Sequence, residues 1–258
     1  IIMKAKITFV GSGNVATSLA HALDKAGHTI HQVISRNADN AKILASKFGA
    51  YYGDQPSEMY KDADFVILCV SDEAYYSVLE ELPDGLRAIV CHTAGPVAMN
   101  VLEGYSGDYG VFYPLQSFRK EEVKDVMSVP FFVEGSSKQV KEKLHALADT
   151  ISNKVSEVSS PEREKYHLSA VFANNFTNAM YAVADNYLAD NGLDFNNLLP
   201  IIKETADRLK NGKPSQWQTG PAKRGDKAVI QKHLDMLDDD MLKAIYAQMS
   251  KFIEYNAQ

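Results

Sequence analysis

The sequence is poor in cysteine, tryptophan and positive charge, and it has no long hydrophobic run. Its two cysteines, Cys69 and Cys91, each lie in an apolar stretch typical of a strand. We therefore expect buried free thiols and a reducing compartment, without a disulfide or a metal site. Lysine and arginine number 27 against 33 aspartate and glutamate residues, a formal charge of -6. That balance argues against nucleic-acid binding, which favours a basic domain.

Membrane association is also not expected. The longest wholly apolar run, at 65–70, has six residues, whereas a helix needs about 20 to cross a bilayer. The N-terminal stretch carries Lys4 and Lys6 and reaches a glycine at position 11, a pattern that indicates a strand and turn rather than a secretion signal. The 45% of apolar residues is enough for a sizeable core. These features favour a cytoplasmic globular protein.

Strand-like and helix-like patterns alternate over the first 160 residues. Such alternation is typical of βαβ units around a parallel sheet, with strands predicted at 4–10, 30–34, 64–70, 87–91, 109–113, 129–133 and 155–158. After Pro161 the strands stop, and helices are predicted at 162–189, 195–210, 226–237 and 239–256. The first of these is apolar over much of its circumference, which suggests burial in a bundle or a homodimer. We therefore predict an α/β fold with a parallel-sheet domain over 1–160 and an all-α domain over 161–258.

A glycine-rich turn follows the first predicted strand and opens a helix. Its first glycine permits a tight turn, its second lets the backbone approach a pyrophosphate, and a small sixth residue allows close packing. The N–H groups at the start of the helix would hold the phosphates. A plain strand-turn-helix corner is the alternative, but the order of strand, glycines and helix favours a Rossmann-type dinucleotide site. The predicted cofactor contacts here are Gly11, Ser12, Gly13, Asn14 and Val15, with Ala16 as the sixth residue.

The end of the second strand predicts which dinucleotide is bound. An NAD site would place an acidic residue there to hold the ribose hydroxyls. The chain instead has Ser35, Arg36 and Asn37, and an arginine side chain can bind a 2′-phosphate with a fork of donors. We therefore predict NADP(H), although Arg36 could also be an ordinary surface arginine.

Polar residues follow three further strands, and ligands bind outside the carboxyl ends of strands in open α/β sheets. We expect cofactor contacts from the first two of these strand ends and substrate contacts from the third. Loop and capping duties are the alternative for each of them. The residues concerned are Val70, Ser71, His92 and Thr93 for the cofactor, and Tyr113 and Gln116 for the substrate.

The long predicted helix carries a polar stripe. His167, Asn174 and Asn178 are spaced to share a helical face, and Asn175 lies beside it. The stripe is either a structural hydrogen-bond network, since unpaired buried amides are costly, or a surface that faces a substrate. In the second case His167 is the candidate general acid, because imidazole exchanges a proton near neutral pH.

A basic segment at 203–232 has eight lysine and arginine residues against three acidic residues. It either balances the acidic run at 238–240 or attracts an anionic substrate or the cofactor phosphates. We take Arg224, in this segment, as a candidate substrate-binding residue.

The order of these motifs resembles one known family. The motifs are GSGNVA, ISRN, CHTAG, YPLQSF, the helix with His167 and Asn175, and TGPAKRGD followed by His233-Leu234. They resemble Rossmann-like proteins with a C-terminal helical domain of unassigned function. The wider set includes pyrroline-5-carboxylate reductase, 6-phosphogluconate dehydrogenase, prephenate dehydrogenase and deazaflavin-dependent NADP oxidoreductases.

The resemblance implies an NADP-binding Rossmann domain, an all-α domain that often pairs two subunits, and hydride transfer to a small substrate. It also implies a histidine where this chain has Tyr113, so Tyr113 is the candidate that replaces it, beside His167 and Asn175. An NADP-dependent oxidoreductase is the leading hypothesis. A non-catalytic NADP-binding sensor is the second, and a dehydratase or isomerase that retains its cofactor is the third.

Overall fold

The computed structural model describes residues 4–256 in two compact units, divided between Asn178 and Ala179. Residues 1–3 and 257–258, at the ends of the two predicted domains, lie outside the described residues. Within the described chain, no helix is long and apolar enough to cross a membrane.

An eight-stranded sheet organises the first unit, in the order β3-β2-β1-β4-β5-β6-β7-β8. Every neighbouring pair is parallel except β6 and β7. The α/β fold predicted from the sequence is thereby confirmed. The strands are β1 Lys6–Val10, β2 Thr29–Ile34, β3 Tyr51–Gly53, β4 Phe65–Leu68, β5 Ile89–His92, β6 Tyr109–Pro114, β7 Phe131–Gly135 and β8 Val155–Glu157.

Helices cover both faces of this sheet, which explains the apolar runs of its central strands. Successive side chains of a strand point to opposite faces, and Phe9 and Ile67 accordingly lie in one buried cluster while Val10 and Leu68 lie in the other. The helices of this unit are α1 Asn14–Lys25, α2 Ala38–Ser46, α3 Tyr75–Glu80, α4 Lys138–Asp149 and α5 Ser160–Ala170.

Two features of the sheet differ from the sequence prediction. Strand β3 is not among the predicted strands, because it has only three residues and its two tyrosines are exposed, which leaves no apolar alternation. Strand β7 is antiparallel to β6. An antiparallel neighbour needs no helical crossover, and the chain between the two strands contains no α-helix.

The change from strands to helices occurs at α5, but the first unit continues beyond it to Asn178. The buried Arg163 side chain explains this extension, because its Nη1 lies 2.8 Å from Glu134 Oε2 on β7 and its Nη2 donates to the Val97 carbonyl. The ring centroids of Tyr166 and Phe132 lie 4.7 Å apart. The start of the long helix therefore packs on the sheet.

The second unit, from Ala179 onward, is helical. Among its described residues only Ala222 is buried, and Leu193, Ile201 and Phe252 are each about 60% exposed. Pro200 lies in the first turn of its second helix, and the Asp226 side chain caps the fourth by accepting from the Val229 N–H at 3.2 Å. These helices are α6 Thr177–Asp190, α7 Leu199–Arg208, α8 Pro221–Arg224, α9 Lys227–Asp235 and α10 Asp240–Tyr255.

Candidate active site

A cleft of about 630 Å³ opens at the carboxyl ends of β1, β2 and β4, where the glycine-rich turn joins β1 to α1. Most of the predicted cofactor contacts meet there. They are Gly11, Ser12, Gly13, Ser35, Arg36, Asn37, Val70 and Ser71. The cleft is also lined by residues that the sequence analysis did not select, among them Asn40, Asp54, Cys69 and Lys120.

The two glycines of the turn are suited to their positions for different structural reasons. Gly11 has φ +110°, and a Cβ there would lie 2.8 Å from the carbonyl carbon of Cys69, so a side chain is excluded by conformation and by contact. Its N–H donates to the Ile34 carbonyl at 2.7 Å, which ties the turn to β2. A Cβ on Gly13 would meet nothing within 4 Å. That open space at the start of α1 fits a pyrophosphate.

The end of β2 supplies groups that fit a 2′-phosphate. The Ser35 hydroxyl lies 2.9 Å from that of Ser12, and Arg36 forms no ion pair with the described residues. Asn37 Oδ1 accepts from the Asn40 N–H at 3.0 Å, so this side chain caps α2. Asp54 follows β3 and lines the cleft because β3 lies next to β2 in the sheet. Since the sequence analysis does not predict β3, it does not identify Asp54.

Four of the predicted cofactor contacts do not line this cleft. Asn14 Oδ1 accepts from the Lys120 N–H at 3.0 Å, and Val15 packs against the core. The Thr93 hydroxyl donates to the Leu68 carbonyl at 3.2 Å. His92 is fully buried. Asn14 and Val15 begin α1, and His92 and Thr93 stand at the end of β5. The sequence places them near the strand ends, but it does not show which way their side chains turn.

His92 is held as a neutral ring inside the sheet. Burial, together with the positive charge of Arg163, lowers the pKa of His92 to about 3. The Ala94 N–H donates to His92 Nδ1 at 3.2 Å, which leaves the ring hydrogen on Nε2, an atom without a partner in the described chain. His92 therefore has a structural position beside the site and does not face the cofactor cleft.

A second, smaller pocket of about 270 Å³ contains the candidate catalytic residues. Tyr113, at the end of β6, lies with its hydroxyl oxygen 3.3 Å from His167 Nδ1 on α5. The described residues that line this pocket include no lysine, arginine, aspartate or glutamate. They are Tyr113, Leu115, Gln116, Ser117, His167, Ala170, Val171, Asn174 and Asn175.

His167 is positioned by backbone packing as well as by the Arg163 contacts one turn earlier. A Cβ on Gly95 would lie 2.6 Å from His167 Cγ, so glycine is required where the loop after β5 meets the imidazole. Because positions four apart lie on the same side of a helix, the anchored Arg163 brings His167 toward the same sheet. His167 is thereby held beside Tyr113 by the loop at Gly95 and by the anchored helix turn at Arg163.

The Tyr113 hydroxyl is suited to remain protonated. Burial raises the pKa of Tyr113, and the nearby positive charge of Arg163 opposes that rise only in part. A neutral phenol in contact with an imidazole can donate a hydrogen bond to a bound oxygen or nitrogen atom.

The asparagine stripe is altered by a π-helical segment at Val171–Phe176, between α5 and α6. A π-helix has i→i+5 hydrogen bonds and often marks functional sites, and the Thr177 hydroxyl donates to the Phe172 carbonyl five residues earlier at 3.2 Å. Asn174 and Asn175 both line the pocket, whereas Asn178 does not. The predicted face assumes an uninterrupted α-helix, so its last residue, Asn178, is displaced by the wider turn.

The remaining predicted substrate residue, Arg224, lies on α8 in the second unit.

Comparisons with known proteins agree with this geometry. A family model described as NADP oxidoreductase coenzyme F420-dependent matches residues 6–91, and one described as a domain of unknown function (DUF2520) matches residues 129–253. The chain is 41% identical to the "putative NADP oxidoreductase" of Bacteroides fragilis, whose crystal structure matches 99% of this chain and 100% of that chain with a TM-score of 0.94. No functionally curated protein matches the chain in sequence.

Two further solved structures share the fold at low identity. Pyrroline carboxylate reductase of Plasmodium falciparum, solved with NADP bound, is 14% identical over 98% of both chains, with a TM-score of 0.63. An imine reductase of Streptomyces aurantiacus is 18% identical over 98% of this chain and 96% of that chain, with a TM-score of 0.68.

Fold and cleft define a Rossmann-type dinucleotide-binding protein. Within that class, the chain belongs to the family of NADP oxidoreductases that join an NADP-binding domain to this C-terminal domain. The resemblance and the cofactor class predicted from the sequence are confirmed. The open space at Gly13 and the serine and arginine side chains at the end of β2 fit NADP.

The buried His92 predicts a pH dependence of stability. Its pKa in the folded protein is about 3 against an ordinary 6.5, so below pH 6.5 the unfolded state binds a proton that the folded state refuses. Stability is therefore lost as the pH falls from about 6.5 toward 3. Between about pH 7 and pH 5 this group alone should lower the free energy of unfolding by about 2 kcal/mol.

Urea denaturation of the wild type and the His92→Gln variant at both pH values measures this loss. The variant should lose about 2 kcal/mol less than the wild type over that interval. His145→Gln removes a histidine that is 35% exposed, and as a control it should follow the wild type. Equal losses in the wild type and His92→Gln would contradict the neutral, buried state of His92.

Proposed function

We propose that the protein transfers a hydride between NADP(H) and a small carbonyl or imine compound, with a hydroxy or amino compound as the reduced product. The observation that carries this proposal is the contact of the Tyr113 hydroxyl with His167 Nδ1 at 3.3 Å, in a pocket within the same unit as the nucleotide cleft. Segment 115–120 borders both spaces, with Gln116 on the pocket and Lys120 on the cleft.

When bound, the nicotinamide supplies the hydride, and the protein supplies orientation and the proton. Tyr113 donates its hydrogen to the carbonyl oxygen or imine nitrogen as the carbon atom is reduced. Because burial disfavours a tyrosinate, His167 returns a proton to the Tyr113 oxygen from Nδ1 and takes up one proton from solvent at its other ring nitrogen. In the oxidation direction these proton transfers reverse.

The pocket favours recognition of the substrate by neutral hydrogen-bonding groups. Gln116, Asn174 and Asn175 offer amides that donate and accept, and we propose that Asn175 orients the reacting group. Since no cation lines the pocket in the part of the chain that the structure describes, an anionic group on the substrate would need a residue from elsewhere. Arg224, in the basic segment, is the candidate that the sequence offers.

A second copy of the chain is the proposed cover of the second unit. One described residue of that unit is buried, and large apolar side chains such as Met241 and Phe252 are exposed by 72% and 62%. Large exposed apolar side chains are suited to an interface, and we propose that a second copy of this unit covers them.

The free thiols Cys69 and Cys91 further support a reducing, cytoplasmic setting.

Nucleotide selectivity is the first test of the proposed function. Calorimetric titration should show tight binding of NADPH and weaker binding of NADH. Arg36→Gln should weaken NADPH binding about tenfold or more, because a charge-assisted contact to the 2′-phosphate is lost. The binding of NADH should change by less than about twofold. Failure of the wild type to bind either nucleotide would contradict the proposal.

A turnover assay distinguishes an enzyme from a non-catalytic nucleotide sensor. The sensor is the alternative that is compatible with a tyrosine, instead of a histidine, at position 113. NADPH oxidation is followed with a panel of carboxylated ketones and cyclic imines. His167→Ala and Tyr113→Phe should each lower the rate by about 10² to 10⁴ while NADPH affinity stays near that of the wild type. His145→Ala is the matched control and should keep the wild-type rate. Lack of turnover by the wild type across the panel would favour the sensor.

The proposed dimer predicts the particle mass in solution. Light scattering at micromolar concentration should give twice the mass of one chain. Phe252→Glu should shift this mass toward one chain, since a charge would then have to be buried in the interface. Tyr76→Glu, at a tyrosine that is 64% exposed on the first unit, is the control and should leave the mass unchanged. A monomeric wild type would contradict the dimer.

A further inference from the structure

A lysine outside the predicted cofactor motifs lines the nucleotide cleft. Lys120 belongs to the exposed chain that follows β6, and it lines the same space as Gly11, Gly13 and Arg36. Its backbone is held there, because its N–H donates to Asn14 Oδ1 at 3.0 Å across 106 residues of sequence. Asn14 is the first residue of α1, so the lysine is tied to the helix start that the glycine-rich turn opens.

The position of this tether indicates which part of the cofactor Lys120 meets. The pyrophosphate of a dinucleotide sits at the N-terminus of the first helix, where Asn14 holds Lys120. The other cation that lines the cleft, Arg36, follows β2 and is the residue proposed above for the 2′-phosphate. Among the described residues that line this cleft, Asp54 is the only acidic one. Without Lys120, the pyrophosphate charge would be met by backbone N–H groups and the helix dipole alone.

The same segment also reaches the catalytic pocket. Leu115, Gln116 and Ser117 line the pocket around His167, and Lys120 lines the cleft. Between these points the segment is held mainly by Phe118, which packs against the core, while its neighbours on both sides are exposed. A contact that fixes Lys120 would therefore also fix the wall of the pocket.

We propose that Lys120 binds the pyrophosphate of the cofactor, and that this contact makes segment 115–120 a strap that couples cofactor binding to the shape of the substrate pocket. The proposal rests on the cofactor assignment made above. It separates the duties of the two cations: Arg36 selects NADP over NAD, whereas Lys120 binds both nucleotides equally.

Calorimetric titration with NADPH and NADH tests this separation. Lys120→Gln should weaken the binding of both nucleotides by the same factor, about tenfold, and Lys120→Arg should restore most of it. Arg36→Gln should weaken only NADPH. Lys124→Gln is the matched control, because Lys124 is exposed on the same stretch of chain, pairs with Glu122 at 3.1 Å and does not line the cleft. It should bind as the wild type does.

Each other outcome overturns a defined statement. Unchanged binding in Lys120→Gln would overturn the contact. Weakening of NADPH alone would place Lys120 at the 2′-phosphate and overturn the division of duties. If the wild type binds neither nucleotide, the cofactor assignment itself fails, which distinguishes that failure from a failure of the strap.

Hydrogen exchange tests the coupling without any substrate. In the wild type, the amides of 115–122 should exchange several-fold more slowly at saturating NADPH than in the absence of nucleotide. In Lys120→Gln, also saturated, this protection should be lost while that of the turn at 11–14 remains. Equal protection of 115–122 in both proteins would overturn the strap.

Discussion

The ion pair of the buried Arg163 with Glu134 is the interaction on which the candidate catalytic pocket depends. The arginine side chain is 1% exposed and makes its contacts with β7, with the Val97 carbonyl and with Ser160. Removal of one partner of a buried pair typically costs about 3–5 kcal/mol, because the other charge is left without compensation. The pair holds the start of the long helix on the sheet. His167, one turn later, then meets Tyr113 and Gly95.

The nucleotide cleft depends on a different constraint, the convergence of strand ends in a parallel sheet. The turn at Gly11 and the end of β2 are joined by one backbone hydrogen bond of 2.7 Å, so the sheet itself fixes the two places proposed for the pyrophosphate and the 2′-phosphate. The proposed cofactor site therefore relies on the backbone of the sheet, whereas the candidate catalytic pocket also relies on α5, which holds His167 against Tyr113 of β6. Segment 115–120 is the covalent link between the two.

The sequence predicts local features well and long-range placement poorly. The glycine-rich turn and the Arg36 strand end follow from neighbours in the chain, and both lie in the cleft. Asp54 and Lys120 could not be selected in this way, since a short, exposed strand and a contact across 106 residues bring them there. The prediction of Asn178 assumes an ideal helical period, which the π-helical segment interrupts. The strand end at His92 predicts a place in the cleft, and only the fold shows that its ring is buried in the core.

A crystal structure of the protein with bound NADP⁺ tests the central claim most directly. The account predicts the 2′-phosphate against Ser35 and Arg36, the pyrophosphate at the start of α1 beside Lys120, and the nicotinamide facing the pocket of Tyr113 and His167. A nicotinamide turned away from Tyr113 and His167, with the phosphates bound as predicted, would contradict the catalytic assignment. Binding of the nucleotide outside the cleft would contradict the whole account.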